Sequence, residues 1–140
     1  MSICYYTFHM NHEFSNVAEI ICQKDPRYRH DAYEFVMEAL HFTQKKFHRS
    51  KHVTGPELLE GMKELLMEKF GPMTMLVLKH WGINATEDFG NIVFNLVENR
   101  VLSKTEEDSL EHFRNGYSFE EVFERGYRIR LEKRISRMRS

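Results

Sequence analysis

The positions of proline and glycine divide the first hundred residues of this chain into segments of helical length. A residue before proline is driven out of the helical region, so such a pair ends a helix. Proline at the first helical position does no harm, because its missing N–H would have had no partner there. Glycine just past a helix is the usual C-terminal stop. These marks are Asp25 with Pro26, Gly55 with Pro56, Gly71 with Pro72, and Gly82.

Between these marks, apolar side chains recur at intervals of three and four residues. That period is typical of a helix with one buried face. In the fifth segment, for example, Phe89, Ile92 and Leu96 fall on one side. Helices are predicted over residues 13–24, 31–47, 56–70, 73–81 and 86–98.

The pattern predicts a mainly α, single-domain helical bundle. A chain of 140 residues is one domain by length and is long enough to bury a substantial core. We expect the following side chains to be buried together: Leu59, Leu66, Leu78, Trp81, Phe89 and Leu96.

Capping residues support the predicted helix starts. Asp31 is expected to cap the second helix, with Glu34 completing a capping box. Thr54 or Gly55 is expected to cap the third. Thr86 begins the fifth, where acidic neighbours favour the positive end of the helix dipole.

The fourth and fifth helices, joined through Gly82, resemble a helix-turn-helix pair. The segment after the fifth helix is compatible with a winged-helix-like, two-stranded hairpin near residues 101–119, or with a short helix from Thr105. Asn115 and Gly116 form a turn signal inside that stretch.

The exposed face of the fifth helix is poorly suited to reading DNA. It offers Asn91 and Asn95, which can contact bases. Glu87, Asp88 and Glu98 surround them, and carboxylates are repelled by the phosphate backbone. We therefore expect this helix to be structural or to face a protein.

Charge is unevenly distributed along the chain. Residues 125–140 contain seven basic residues and one acidic residue, which leaves 13 basic and 20 acidic residues for 1–124. We predict a helical domain over 1–124 and a basic C-terminal extension over 125–140. The candidate contacts to nucleic acid or another acidic partner are Arg125, Arg128, Arg130, Lys133, Arg134, Arg137 and Arg139.

The C-terminal stretch has two competing periods. Alternation around Tyr127 and Ile129 fits a strand, but the longer apolar stripe from Phe119 to Met138 fits an amphipathic helix. We predict a helix that is anchored on the core as far as about Leu131, with freer residues beyond.

Aromatic residues also cluster between residues 113 and 123. We expect them to form a core seam, while a groove for another protein's helix is the alternative. The residues are Phe113, Tyr117, Phe119 and Phe123.

No motif indicates a reaction. The carboxylates of "TEDFG" and "KTEEDS" could form an acid/base pair, but a helix start and a solvated loop explain them better. No P-loop or GxGxxG pattern is present. We therefore predict no catalytic residues.

Histidine spacing raises the question of zinc. Two pairs could each place imidazoles together, and two cysteines could complete a site. The pairs lie in different segments without a CxxC or HExxH pattern, so we expect no metal and no cofactor. The residues are His9 with His12, His48 with His52, and the cysteines Cys4 and Cys22.

The cellular location expected from the sequence is the cytoplasm. No apolar run approaches the roughly 18 residues needed for a membrane span. The first residues lack the pattern of a signal peptide, and two cysteines are too few for a disulfide scaffold.

Five strings together resemble a known group: "DPRYRHDAYEFVMEAL", "HVTGPELLEGMKELLMEKFGPM", "WGI", "TEDFGNIVFNLVE" and "GYSFEEVF". They are similar to an uncharacterised family of small proteins of the planctomycete, verrucomicrobial and chlamydial lineage. The resemblance covers roughly residues 19 to 123, about three quarters of the chain, and it implies no activity. Members tend to read Gly-Leu-Leu where this chain has Asn99-Arg100-Val101-Leu102, and the basic tail extends beyond the shared region.

The function expected from these observations is that of a non-enzymatic cytoplasmic interaction or regulatory protein of unspecified partner. The alternative is a nucleic-acid-binding protein that acts through the basic tail. A weaker third interpretation is an enzyme whose site is built from dispersed residues. The sequence specifies neither the partner nor the oligomeric state.

Overall fold

The computed structural model describes residues 3–5, 12–104, 110–114 and 116–139, and these are mainly helical. Short turns of 3-10 helix at Gly71–Met73 and Leu110–Phe113, and a π-helical turn at Glu120–Arg125, complete the connections. The helices are α1 (His12–Lys24), α2 (His30–Lys46), α3 (Gly55–Phe70), α4 (Thr74–Trp81), α5 (Thr86–Glu98) and α6 (Gly126–Arg139).

One hydrophobic core joins α1 to α5. Helix α2 lies at its centre and packs against α1, α3, α4 and α5. All six side chains that the sequence analysis assigned to the core are buried, so that prediction is confirmed. The mainly helical fold class is confirmed as well.

Of the two caps expected for α3, Thr54 is the one that caps it, and it forms a capping box with Glu57 that the sequence analysis did not predict. The Thr54 hydroxyl accepts a hydrogen bond from the backbone N–H of Glu57 at 3.1 Å, and the Glu57 carboxylate accepts one from the backbone N–H of Thr54 at 2.9 Å. Two N–H groups that the helix leaves unpaired are thereby satisfied.

The predicted capping role of Asp31 is wrong. Helix α2 begins one residue earlier, Arg29 occupies the N-cap position, and no side chain caps the helix. Tertiary contacts fix this entry instead. The Arg29 backbone N–H donates to the Trp81 carbonyl at 3.2 Å, and its guanidinium donates to the His80 carbonyl at 3.1 Å.

Gly82 ends α4 in the left-handed conformation, with φ of 87°. A Cβ at this position would lie 2.1 Å from the carbonyl oxygen of Arg27. Both the backbone conformation and the close approach therefore require glycine, and the stop predicted there is confirmed.

Arg100 takes the corresponding position after α5, with φ of 59°. Its N–H donates to the Val97 carbonyl at 3.0 Å, and the N–H of Val101 donates to the Leu96 carbonyl at 2.9 Å. This hydrogen-bond pair is the Schellman motif, which is usually built on glycine. It explains how the Asn99-Arg100 sequence ends the helix.

The described residues give no support to a two-stranded hairpin within 101–119. Strand β2 (Leu102–Lys104) pairs antiparallel with β1 (Ile3–Tyr5), so its partner comes from the start of the chain. The next described residues form the 3-10 turn Leu110–Phe113. Residues 105–109 and 115, which include half of the Asn115–Gly116 turn signal, lie outside the described residues.

The aromatic cluster near the C-terminus is a core seam, as predicted. Phe113, Phe119 and Phe123 are buried. The Tyr117 ring contacts the Phe119 and Phe123 rings at centroid distances of 6.1 and 6.2 Å, and its hydroxyl donates to the Leu59 carbonyl at 2.8 Å. Burial raises the pKa of Tyr117.

The C-terminal segment is helical, which confirms the helical interpretation of residues 119–138 over the strand interpretation. Its predicted anchoring as far as Leu131 is wrong. Phe119 and Phe123 are buried, but the side chains from 128 to 138 are all exposed. The apolar stripe beyond Phe123 is therefore only partly covered, with Leu131 and Ile135 more than 40% exposed.

Candidate interaction surface

Part of the polar face of α5 lies against the connection between α1 and α2, while Glu87 and Glu98 of that face are exposed. The Asn95 amide donates to the Asp25 carboxylate at 2.9 Å and to the Tyr33 hydroxyl at 3.0 Å. The Asn91 amide donates to the Tyr28 hydroxyl at 3.0 Å. The two side chains that could have contacted bases are therefore engaged within the chain, in line with a structural role for α5.

Asp88 joins the same network at the start of α5. Its carboxylate accepts from the Tyr28 hydroxyl at 2.6 Å and from the backbone N–H groups of Asn84 and Ala85 at 2.7 and 3.1 Å. This carboxylate caps the helix entry. The geometry agrees with the interpretation of "TEDFG" as a helix start, while residues 105–109 of "KTEEDS" lie outside the described residues.

Charge and burial both act on this network. The Arg27 guanidinium donates to both oxygens of Asp25, at 2.9 and 2.8 Å, and holds the pKa of that carboxyl well below its usual range. Burial raises the pKa of Tyr33 to about 12. Burial also raises the pKa of Tyr28, and the hydrogen bond to Asp88 adds to that effect. The tyrosines therefore stay neutral. The hydrogen-bond network holds α5 against the α1–α2 connection.

The basic side chains predicted as contacts extend along α6 and the turn before it. Arg139 belongs to α6, but its side chain lies outside what the structure describes, and Arg137 makes a contact within the protein. The cations whose side chains are exposed are Arg125, Arg128, Arg130, Lys133, Arg134 and Arg137.

An apolar stripe accompanies these cations. Leu131 and Ile135 are 43% and 42% exposed, and Met138 is 80% exposed. They are four and three residues apart, which places them on one face of the helix. Helix α6 thus presents an amphipathic surface whose apolar side is only partly covered.

A groove of about 700 Å³ separates α6 from α3. On the α3 side it is lined by the carboxylates of Glu60, Glu64 and Glu68 together with Lys63, and on the α6 side by Arg130 and Arg134. Apolar side chains that also line it are Met67, Val122 and Leu131.

The acidic wall was not identified from the sequence. Its signal is the four-residue spacing of Glu60, Glu64 and Glu68, which puts three carboxylates on one face of α3. Such a row ordinarily indicates a solvated helix face. Its place opposite Arg130 and Arg134 depends on the direction in which α6 leaves the body, which only the tertiary structure specifies.

The histidine pairs do not come together as a described site. His48 and His52 are both exposed, while the side chains of His9 and His12 lie outside the described part of the chain. Within the described ranges, one trio has ligand atoms close enough for a metal ion, namely His30, Asp31 and Glu34. It sits on the first turn of α2, where the positive end of the helix dipole opposes a cation.

A second, shallower pocket of about 450 Å³ lies between α2 and α4. Phe35, Phe70 and Trp81 form its aromatic side, with ring centroids 5.3 Å apart for Phe35–Trp81 and 5.6 Å apart for Phe70–Trp81. At its rim, the Lys69 ammonium already pairs with Glu38 at 2.7 Å. These contacts hold α2, α3 and α4 together.

Comparison with known proteins gives no relative. No family model matches the chain, and no curated protein or solved structure matches it. The lineage resemblance seen in the sequence therefore stays an expectation. Within the described ranges, each helix is too short or too polar to cross a lipid bilayer.

Proposed function

We propose that this chain is a non-enzymatic cytoplasmic interaction or regulatory protein and that α6 is the element it presents to a partner protein. The observation that carries this proposal is the partly exposed stripe of Leu131, Ile135 and Met138, on a helix whose side chains from 128 to 138 are all exposed. An exposed apolar face rimmed by polar groups is characteristic of interaction surfaces. Recognition of such a helix through its apolar positions is a common mode of binding.

Helix stability supports the same proposal. Isolated helices shorter than about 12–15 residues are marginal in water, and most helices in proteins are stabilised by packing of an apolar face. Helix α6 has 14 residues, and its side chains from 128 to 138 are exposed. A partner that covers the stripe would supply the packing that the body of this chain does not.

Nucleic-acid binding through the tail is the second candidate, and the exposure of its cations favours it. Arg128 and Lys133 do not line the groove and face solvent. Cations placed in this way can neutralise phosphates, and such binding weakens steeply as salt rises. It would not involve base reading by α5, because Asn91 and Asn95 are engaged within the chain.

A truncation after Leu131 tests whether α6 is the binding element. It removes Lys133, Arg134, Arg137 and Arg139 together with the end of the stripe. We expect the truncated protein to melt at the same temperature as the full chain and to lose its partner in pull-downs from native cytoplasm. Retention of full affinity for that partner, and for RNA and DNA, would show that the binding element lies elsewhere.

Two matched variants separate the two candidates. Leu131→Ser with Ile135→Ser removes the stripe but keeps every cation, whereas Arg128→Gln with Lys133→Gln removes cations but keeps the stripe. Loss of partner capture only in the serine variant favours a protein partner. Loss of salt-sensitive RNA or DNA binding only in the glutamine variant, measured by fluorescence anisotropy, favours nucleic acid.

A further inference from the structure

The groove between α3 and α6 has walls of opposite charge. On one wall three carboxylates, those of Glu60, Glu64 and Glu68, outnumber the single cation Lys63, and on the other wall both charged residues, Arg130 and Arg134, are basic. Among the described residues no ion pair joins the two walls. On the acidic wall, Glu60 pairs with Lys63 at 2.8 Å, and Glu64 pairs with Lys46 of α2.

The start of α6 is held by the turn that precedes it. Gly126 has helical dihedral angles, φ −60° and ψ −42°, so α6 continues directly from the turn Glu120–Arg125. Phe123 in that turn is buried and fixes its position. In this structure Arg130 and Arg134 therefore stand apart from α3, across a groove that is open to solvent.

The charges of the walls specify that element. A nucleic-acid strand would meet carboxylates along α3, where its phosphates are repelled. A uniformly basic helix would be repelled by the arginines, and a uniformly acidic helix by the glutamates. An amphipathic helix that carries basic residues along one flank and acidic residues along the other meets an opposite charge on each wall.

The length of the acidic wall is sufficient for two or three turns of a bound helix. Glu60 and Glu68 are eight positions apart on α3, and at 1.5 Å per residue the acidic wall is about 12 Å long. That length corresponds to two or three turns of a bound helix. Met67, Val122 and Leu131 are the apolar side chains available to its apolar stripe.

We propose that the groove between α3 and α6 binds a partner's amphipathic helix whose apolar stripe is flanked by basic residues on one side and acidic residues on the other. This inference rests on the proposed function and specifies the chemistry of the partner. Charge matching of this kind contributes more to orientation and selectivity than to raw affinity.

Three synthetic peptides of about 20 residues, long enough for substantial helicity, test the proposal. They share one leucine stripe and differ in their flanks, which are Lys on one side and Glu on the other, Lys on both, or Glu on both. We expect the mixed peptide to bind tightest in fluorescence anisotropy at moderate salt, by about tenfold in Kd. Equal or weaker binding of the mixed peptide would overturn the proposal.

Double variants of the groove walls make the test independent of overall affinity, because the expected result is a change in the order in which the three peptides bind. Glu64→Lys with Glu68→Lys makes both walls basic and should shift preference to the Glu-only peptide. Arg130→Glu with Arg134→Glu makes both walls acidic and should shift preference to the Lys-only peptide. The control is Arg128→Glu, which changes a cation of α6 that does not line the groove and should keep the original ranking.

The two proposals fail in different ways. If the rankings do not follow the wall charges while truncation after Leu131 still abolishes partner capture, the groove inference is wrong and the role of α6 stands. If truncation leaves partner capture intact, the proposed function itself is wrong. If the wall variants shift the ranking as expected, binding in the groove is supported directly.

Discussion

Helices α5 and α6 are almost equal in length, at 13 and 14 residues, and both carry an apolar stripe at helical spacing. On α5 the stripe is fully covered, with Phe89 and Leu96 both at 0% exposure. On α6, Leu131 and Ile135 remain more than 40% exposed. The same periodicity therefore identifies a helix and its apolar face in both cases, but it does not specify what covers that face.

The polar faces differ in the same way. On α5, Asn91, Asn95 and Asp88 form hydrogen bonds to the α1–α2 connection. On α6, Arg130 and Arg134 face carboxylates across an open groove. The described hydrogen bonds and the apolar core thus hold α5 on both sides, whereas α6 has a partly exposed stripe and arginines that line an open groove.

Replacing a stripe residue by alanine should give the largest difference in stability between the two helices. We expect Leu96→Ala to lower the free energy of unfolding by about 2–5 kcal/mol, because a fully buried leucine leaves a cavity. Leu131→Ala on α6 should change it by less than about 0.5 kcal/mol. Urea denaturation measures both, and similar losses for the two variants would mean that α6 is covered in the isolated protein.

Replacing glycine by alanine should give the next largest difference in stability between the body of the protein and α6. Gly82→Ala should cost about 1–3 kcal/mol, because the residue has φ of 87° and an added Cβ meets the Arg27 carbonyl. Thermal unfolding would report this loss. An unchanged melting temperature would contradict the close approach at Gly82.

The matched control is Gly126→Ala in α6, where φ is −60° and the nearest atom to an added Cβ is 3.4 Å away. Alanine is the better helix former by about 1 kcal/mol, so the helix should gain stability. Slower amide hydrogen exchange within α6, at an unchanged global melting temperature, is the expected result.

A smaller effect on stability is expected at the end of α5. Arg100 has φ of 59° at a position where glycine is favoured. We expect Arg100→Gly to stabilise the protein by roughly 1 kcal/mol, the usual cost of a left-handed L-residue. A lower denaturation midpoint would indicate that the arginine side chain contributes more than the backbone strain costs.

The smallest expected effect on stability depends on pH. It comes from Asp25 in the hydrogen-bond network between α5 and the α1–α2 connection. Because the folded-state pKa of Asp25 is depressed, its contribution to stability is fully present above its ordinary pKa of about 3.9 and is lost as pH falls toward the folded value. Asp25→Asn should therefore be less stable than the native chain at pH 7, and this difference should shrink below about pH 4.

Urea midpoints at several pH values measure that difference, with the exposed carboxyl of Asp31 replaced by asparagine as the control. A difference in stability that does not change with pH would mean that the charge of Asp25 does not stabilise the folded protein.

Much of the fold could be predicted, because its signals are local. The cap expected at Thr54 or Gly55, the stop at Gly82 and the buried face of α5 each depend on residues within one or two turns. The predicted capping by Asp31 failed because Arg29 bonds to Trp81 and His80, which are far along the chain. The predicted anchoring of Leu131 failed because periodicity carries no information about where a helix leaves the body.

The helical segments, their apolar faces and the concentration of positive charge near the C-terminus can all be predicted without a structure. These properties follow from side-chain period and composition, which are read directly along the chain. The inward contacts of Asn91 and Asn95, and the position of Glu64 and Arg134 on opposite walls of one groove, follow instead from the packing of the helices. Those relations join residues about 60 to 70 positions apart, and their distances depend on how the helices pack.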